Sequence, residues 1–285
     1  MSDLGAFESV FRRALRTPYE YEEIKPKHIL VIVDLNPEQS AQFLNDLQAY
    51  LLPSLHPSNY QMTCWTQSDF APWPQLKSRI QQLAPDLIIS YRLLWMQDRT
   101  AQKSLGSYID LLSQDTQIPI LVMPNPLMFS MPKLNASAGA VLVATEHDYE
   151  DHRQVNYALA FARKDAPLIL VHIEDEDTFE YYQAAIAKIP DIDTEAARET
   201  LHRQLLADPE HYADSVRETL VTKRPELSVD TYITFGHLIT AYRKLMADHL
   251  SDLLVVNSKD DTQLAMHSIG YSLAVEFRET PVLLL

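Results

Sequence analysis

Ten carboxylates in the C-terminal half fall where short apolar runs end. Glu146, Asp148, Glu150 and Asp151 follow the run at 140–145, Glu174, Asp175, Glu176 and Asp177 follow 168–173, and Asp260 and Asp261 follow 252–256. If these runs are parallel strands of one sheet, their carboxyl ends share a rim, and open parallel sheets bind ligands there. Only Arg153 and Lys259 answer the charge locally. A rim this acidic opposes a bare triphosphate and suits a divalent cation or a basic protein segment. Glu146, His147, Asp148 and His152 supply oxygen and imidazole donors suited to a metal, with metal-assisted hydrolysis as the chemistry such a site would support. Their spacing crosses a loop-helix junction and matches none of the compact Cys/His patterns. His172, at a strand end, reads as a satisfied, partly buried histidine, and the stretch from Glu174 to Asp177 as a solvated loop. No Ser-His-Asp order or nucleophile elbow accompanies these residues.

Glycine is scarce. The chain has five, Gly5, Gly106, Gly139, Gly236 and Gly270, against a usual share of ~7%. A loop that wraps phosphate in backbone N–H groups needs several glycines close together, because the backbone must approach the anion and adopt positive φ. No such cluster exists.

The elements that must position these residues repeat. Residues 85–124 and 251–285 share one order: Asp86 or Asp252 opens a short apolar strand, a helical stretch follows, and Pro119 or Pro281 opens a second apolar strand. Matching strands at 28–33 and 140–145 precede the two units. The first half reads as strands 28–33, 59–66, 86–90 and 119–123 with helices 37–52, 74–83 and 101–115. The second reads as strands 140–145, 168–173, 228–235, 252–256 and 281–285 with helices near 151–164, 237–249 and 262–278. Near-continuous apolar strands alternating with helices predict an α/β fold of two Rossmann-like parallel-sheet domains in tandem, with helices on both faces. The domains are a helical arm at 1–26, a first, shortened domain at 27–124, a linker at 125–138 containing Pro126 and Pro132, and a second domain at 139–285. The second domain carries a helical insertion near 178–222, which Pro190 and Pro209 should break, with Asp208 as N-cap to a helix starting at Pro209. Strands 119–123 and 281–285 are wholly apolar, and an exposed edge of that kind invites aggregation. The two would cover each other, making the chain an internal pseudo-dimer.

Composition narrows the function classes. A net charge of −15 disfavours nucleic acid and anionic membrane as partners. The longest apolar runs are strand-length, too short to span a bilayer. A single cysteine, Cys64, excludes an intrachain disulfide framework and fits a reducing cytoplasm.

The pattern as a whole resembles a tandem universal stress protein. The resemblance covers roughly residues 27–124 and 139–285, with the second half the complete copy and the first lacking one strand-helix step. Nucleotide-binding members carry Gly-x-x-Gly, nine residues, then Gly followed by Ser or Thr after the fourth strand. Gly106-Ser107 occupies the final pair in the first half, which places Leu93 and Met96 at the first two glycines. In the second half Asn257, Asp260 and Gly270 fall at the motif spacing, but Tyr271 follows Gly270. The resemblance implies that Asp34, and Glu146 in the other half, contact a nucleoside. Tyr91 and Arg92 lie at the first half's fourth-strand exit. The expected function is a non-catalytic stress-response or regulatory protein in the cytoplasm, acting through protein partners, as a homodimer or internal pseudo-dimer. The alternatives are an ATP or AMP sensor that uses one half, and a metal-assisted hydrolase on the acidic rim. No cofactor is expected under the first reading, a nucleotide or a divalent cation under the others.

Overall fold

The computed structural model describes residues 18–51, 55, 57–96, 104–129, 139–145, 152–163, 166–189, 192–258 and 269–285. Residues 1–17 of the arm, the acidic loop from Glu146 to Asp151, and Asp260 and Asp261 lie outside these residues, while residues 18–26, expected within the helical arm, form no helix.

The first half builds β1 (His28–Ile32), α1 (Pro37–Leu51), β2 (Gln61–Trp65), α2 (Trp73–Leu83), β3 (Leu87–Tyr91), α3 (Ser107–Asp115) and β4 (Ile120–Met123). The second builds β5 (Val141–Ala144), α4 (Arg153–Phe161), β6 (Leu168–Asp175), α5 (Glu176–Ile186), α6 (Thr194–Lys223), β7 (Val229–Gly236), α7 (Leu238–Asp248), β8 (Leu253–Val256), α8 (Ile269–Glu276) and β9 (Val282–Leu284). β1, β3, β4, β5 and β8 are apolar almost throughout because they are buried on both faces of the sheet. α1 shows the complementary pattern, burying Phe43, Leu47, Tyr50 and Leu51 on one stripe.

All strands join one nine-stranded sheet in the order β2-β1-β3-β4-β9-β8-β5-β6-β7. Every neighbouring pair is parallel except β4 with β9, where Ile120, Leu121 and Val122 oppose Leu284, Leu283 and Val282. The two apolar closing strands therefore cover each other, as their composition required. On either side of this seam the chain order reads alike, except that β7 with the helices before it has no counterpart in the first half. Each half changes direction beside its first strand, at β1/β3 and at β5/β8. Right-handed crossovers running in opposite directions place their helices on opposite faces.

The repeated Asp and Pro residues do the same work in both halves. Asp86 N–H donates to the His28 carbonyl and Asp252 N–H to that of Ala140, while the carbonyls of Pro119 and Pro281 accept from Ile88 and Leu254. Asp86 adds side-chain bonds to the N–H groups of Lys27 and His28, at 2.8 and 2.9 Å. One apolar core runs continuously through both halves.

Two further expectations are corrected. Pro209 does not begin a helix but lies inside α6. Its missing N–H costs about 3 kcal/mol in a helix interior, yet Pro209, Tyr212, Ala213, Val216 and Leu220 form the buried face of that helix, and burial at ~1.5–3 kcal/mol per large apolar side chain outweighs the break. Glu174 to Asp177 are likewise not a loop. Glu174 and Asp175 end β6, Glu176 and Asp177 open α5, and Asp175 caps that helix by accepting from Thr178 N–H at 2.8 Å. Acids are favoured in this position because the first-turn N–H groups are unpaired and the helix dipole is positive there.

Candidate functional site

The direction changes place one crevice at the carboxyl ends of β1 and β3 and a second at those of β5 and β8. The first receives Asp34 from the end of β1 and Tyr91 to Met96 from the end of β3. The Tyr91 hydroxyl, wholly buried, donates to Asp34 Oδ1 and accepts from Asp34 N–H at 2.9 Å. Asp34 Oδ2 accepts from Trp95 N–H at 3.0 Å. Both carboxylate oxygens thus hold donors of the chain itself.

The turn that delivers Trp95 closes the crevice. Leu93 and Trp95 adopt positive φ, 62° and 56°, uncommon for bulky residues. Leu93 N–H donates to the Leu105 carbonyl at 2.7 Å, and Leu93, Leu94 and Leu105 are buried. Gly106, with φ of 104°, is pressed against this turn: a Cβ there would stand 2.8 Å from Leu93 Cα. A side chain at 106 would be strained both by conformation and by contact. Phe70, Trp95 and Tyr108 pack edge to face beside the turn, with ring centroids 4.8–5.6 Å apart.

The N-terminus of α3, where an anion would sit, carries an acid of its own. Asp110 accepts from the Ser104 hydroxyl at 2.9 Å, and Ser104 Oγ in turn accepts from Gly106 N–H at 2.9 Å. The other Asp110 oxygen accepts from the Tyr271 hydroxyl on α8, at 2.9 Å. Burial raises the Asp110 carboxyl above the ordinary carboxylate range, against the lowering effect of its Tyr271, Ser104 and Leu105 bonds. The Tyr271 hydroxyl is pushed up to about 12 by burial and by Asp110. Ser107 opens α3 without acting as its cap.

Arg92 turns away from this crevice. It is buried, and its guanidinium donates to the carbonyls of Ala274 and Phe277 at the C-terminal end of α8, the latter at 2.5 Å. Burial, reinforced by Arg278, lowers its pKa to about 9, so it remains charged at neutral pH. Its own carbonyl accepts from Asn125 Nδ2 at 2.8 Å. The first crevice therefore grips α8 twice, through Arg92 at one end and Asp110 at the other. Neither link was visible in the sequence, since each joins residues more than 150 positions apart. A self-satisfied carboxylate and a turn packed on Gly106 do not fit a nucleoside and its phosphates.

The second crevice differs. Asn257 leaves the end of β8 with 8% exposure, and its Oδ1 is buried without a hydrogen-bond partner among the described residues. Gly270, at the start of α8, abuts it: a Cβ at 270 would lie 1.9 Å from the Asn257 carbonyl oxygen. Helix α8 can come this close to β8 only with glycine there. Glu146 and Asp260, the other residues expected to meet a nucleotide, lie outside the described residues.

Of the metal candidates, Glu146, His147 and Asp148 also lie outside them. His152 stands before α4 in an aromatic cluster, edge-on to Tyr19 at 5.6 Å and stacked on Tyr212 at 6.1 Å. Among the described residues no group of three or more His, Cys, Asp or Glu is arranged to hold a metal. His172 is 3% exposed, with Nδ1 3.2 Å from the Thr145 carbonyl and Nε2 2.8 Å from Glu174 Oε1. It is a satisfied histidine, and it explains why Glu174 is drawn inward.

A mostly parallel sheet with a crevice in each half defines an open α/β architecture of the Rossmann-like type. The universal stress protein family model matches residues 139–270, just under half of the chain, so the second half carries a domain of that family. No curated protein matches the chain. Solved structures that resemble it include a universal stress protein from Archaeoglobus fulgidus DSM 4304, at 13% identity and TM-score 0.49, covering 90% of this chain and 97% of the other. A putative universal stress protein from Pseudomonas aeruginosa UCBPP-PA14 shares 13% identity at TM-score 0.46, with 91% and 93% covered. Among the described residues no helix is long and apolar enough to cross a membrane.

Proposed function

We propose that the chain is a non-catalytic, cytoplasmic stress-response protein of the universal stress type that works by binding protein partners. The observation that carries this reading is Asp34, whose two oxygens are held by Tyr91 and by the Trp95 N–H of its own crevice. A site kept for a ligand leaves such a group to the ligand; here the chain has taken the ligand's place. The acidic composition, −15 overall, directs the choice of partner towards basic polypeptides.

Native mass spectrometry of freshly purified protein tests this directly. The expected spectrum shows the bare polypeptide mass without stoichiometric nucleotide or metal. A retained ATP or AMP, or bound metal accompanied by phosphoesterase turnover, overturns it.

One observation favours a second reading, an adenine-nucleotide sensor working through the second half alone. Asn257 Oδ1 is a buried acceptor with no partner among the described residues, at the position where the sheet changes direction. Such an atom costs about 1–3 kcal/mol unless something hydrogen-bonds to it. Under this reading calorimetry with Mg-ATP shows one site, and Asn257→Ala weakens it. No heat of binding rejects it.

A further inference from the structure

We propose that the helical hairpin formed by α5 and the first half of α6 is a docking surface for a basic, amphipathic segment of another protein. This rests on the partner-binding reading and names where the partner sits.

The hairpin stands apart from the sheet. α5 buries only Phe179, and α6 buries nothing before Pro209. Phe179 and His202 pack on Phe235 of β7, at centroid distances of 4.7 and 4.3 Å, which fixes the base of the hairpin to the open edge of the sheet. Beyond that base the hairpin exposes four large apolar side chains among its carboxylates. Tyr181, Tyr182, Ile189 and Ile192 are 73, 52, 51 and 43% exposed. They account for four of the eleven large apolar side chains exposed among the described residues, within twelve positions of sequence. Scattered exposed apolar groups need no explanation, but a cluster on a protruding element does. Tyrosine is also the residue type that carries binding energy at low entropic cost.

The charge around the cluster selects the occupant. Residues 174–199 hold nine carboxylates against Lys188 and Arg198, a net −7 of the chain's −15. Glu195, Arg198 and Glu199 of this stretch line a groove of about 540 Å³ along α6, together with His202, Arg203, Leu206 and Glu210. A second copy of this chain would bring the same negative surface to the contact, and like charges brought together oppose association. A nucleic acid or an anionic membrane is repelled for the same reason. What fits is a segment with Lys or Arg on one face, to meet the carboxylates, and aliphatic or aromatic side chains on the other, to cover the tyrosines and isoleucines.

The test titrates a fluorescent amphipathic leucine-lysine peptide of about four helical turns against the full chain, by anisotropy, at about 50 and about 300 mM NaCl. Binding is expected, weaker at the higher salt. The triple variant Tyr181→Ser, Tyr182→Ser, Ile189→Ser alters only exposed side chains and leaves the charge unchanged; it should lose roughly tenfold or more in affinity. Glu176→Lys with Glu180→Lys should weaken binding and flatten its salt dependence. Circular dichroism and the thermal midpoint establish that each variant is folded. Equal affinity of the wild type and the triple variant would mean diffuse attraction to a −15 protein and would overturn the proposal, as would no binding at all. Self-association of the wild type that the triple variant abolishes would overturn it in favour of a second copy. None of these outcomes touches the ligand content seen by native mass spectrometry, so failure of the hairpin assignment is separable from failure of the non-catalytic reading.

Discussion

Asp34 shows how one residue type supports opposite functions according to what surrounds it. A carboxylate reserved for a ligand is a strained or unsatisfied group in the free protein, so replacing it leaves stability unchanged or improves it. Here Asp34→Ala strips a partner from the Tyr91 hydroxyl and from Trp95 N–H, and urea denaturation should report a loss of about 1–3 kcal/mol. A neutral or stabilising effect would restore Asp34 as a ligand residue. Gly106→Ala tests the turn packed on it: the positive φ and the 2.8 Å approach to Leu93 Cα predict destabilisation of about 1–3 kcal/mol, read from the same midpoints. Asp110 gives the pH dependence. Its folded pKa is raised above the ordinary 3.8 by burial, so the folded state holds the proton more tightly than the unfolded chain does. The contribution is fully present below about 3.8 and is lost as pH rises through the folded value. Asp110→Asn cannot titrate, so its midpoint should gain on the wild type as pH rises from about 3.8 through the folded value. A difference that stays constant as pH rises above about 3.8 would remove Asp110 as a source of pH dependence.

At the scale of elements, α8 is the piece that both crevices share. Its start lies on Asn257, its first turn bonds to Asp110 and its last carbonyls bond to Arg92. Arg92→Leu removes two charge-assisted bonds and should cost about 2–4 kcal/mol, with faster amide exchange by mass spectrometry in peptides covering 269–276. Unchanged exchange there would mean that α8 is held by apolar packing alone. This helix also marks the limit of what the sequence could show. β1, β3, β4, β8 and β9 were legible because burial on both faces writes an unbroken apolar run, and the closing strands were legible as partners because neither could remain exposed. The Asp86 and Asp252 openings were legible because the pattern occurs twice. The continuity of α6 through Pro209 was not, since local preference favours a break and only the sheet beneath Tyr212, Val216 and Leu220 reverses it. Nor was the filling of the first crevice: Leu93 could be recognised as a lost glycine, but the positive φ it still adopts, and the Trp95 N–H it directs to Asp34, depend on Leu105 and Gly106 closing over the turn.

At the scale of the whole molecule, the antiparallel seam between β4 and β9 decides how many units the chain comprises. Two parallel half-sheets meet edge to edge, with Leu121 opposite Leu283 at the centre of the contact and all six paired residues almost fully buried. The pairing is local to three residues on each side, yet the core on both faces of it is continuous, so the halves should unfold together in one transition. Cutting the chain exposes the consequence. A fragment comprising residues 139–285 would present β9 as an unpaired apolar edge, and such an edge recruits another strand. The strand it would recruit is its own counterpart, because an antiparallel pair of identical strands has a twofold axis and forms a closed, isologous contact. With the register observed here, the axis would pass at Leu283, each β9 taking the place that β4 has in the full chain. Sedimentation equilibrium should therefore find the fragment dimeric, with the apolar seam rebuilt between two copies. A folded, monomeric fragment would show that β9 does not need a strand beside it, and the seam would then be a consequence of the chain's connectivity and not the contact that holds the two half-sheets together.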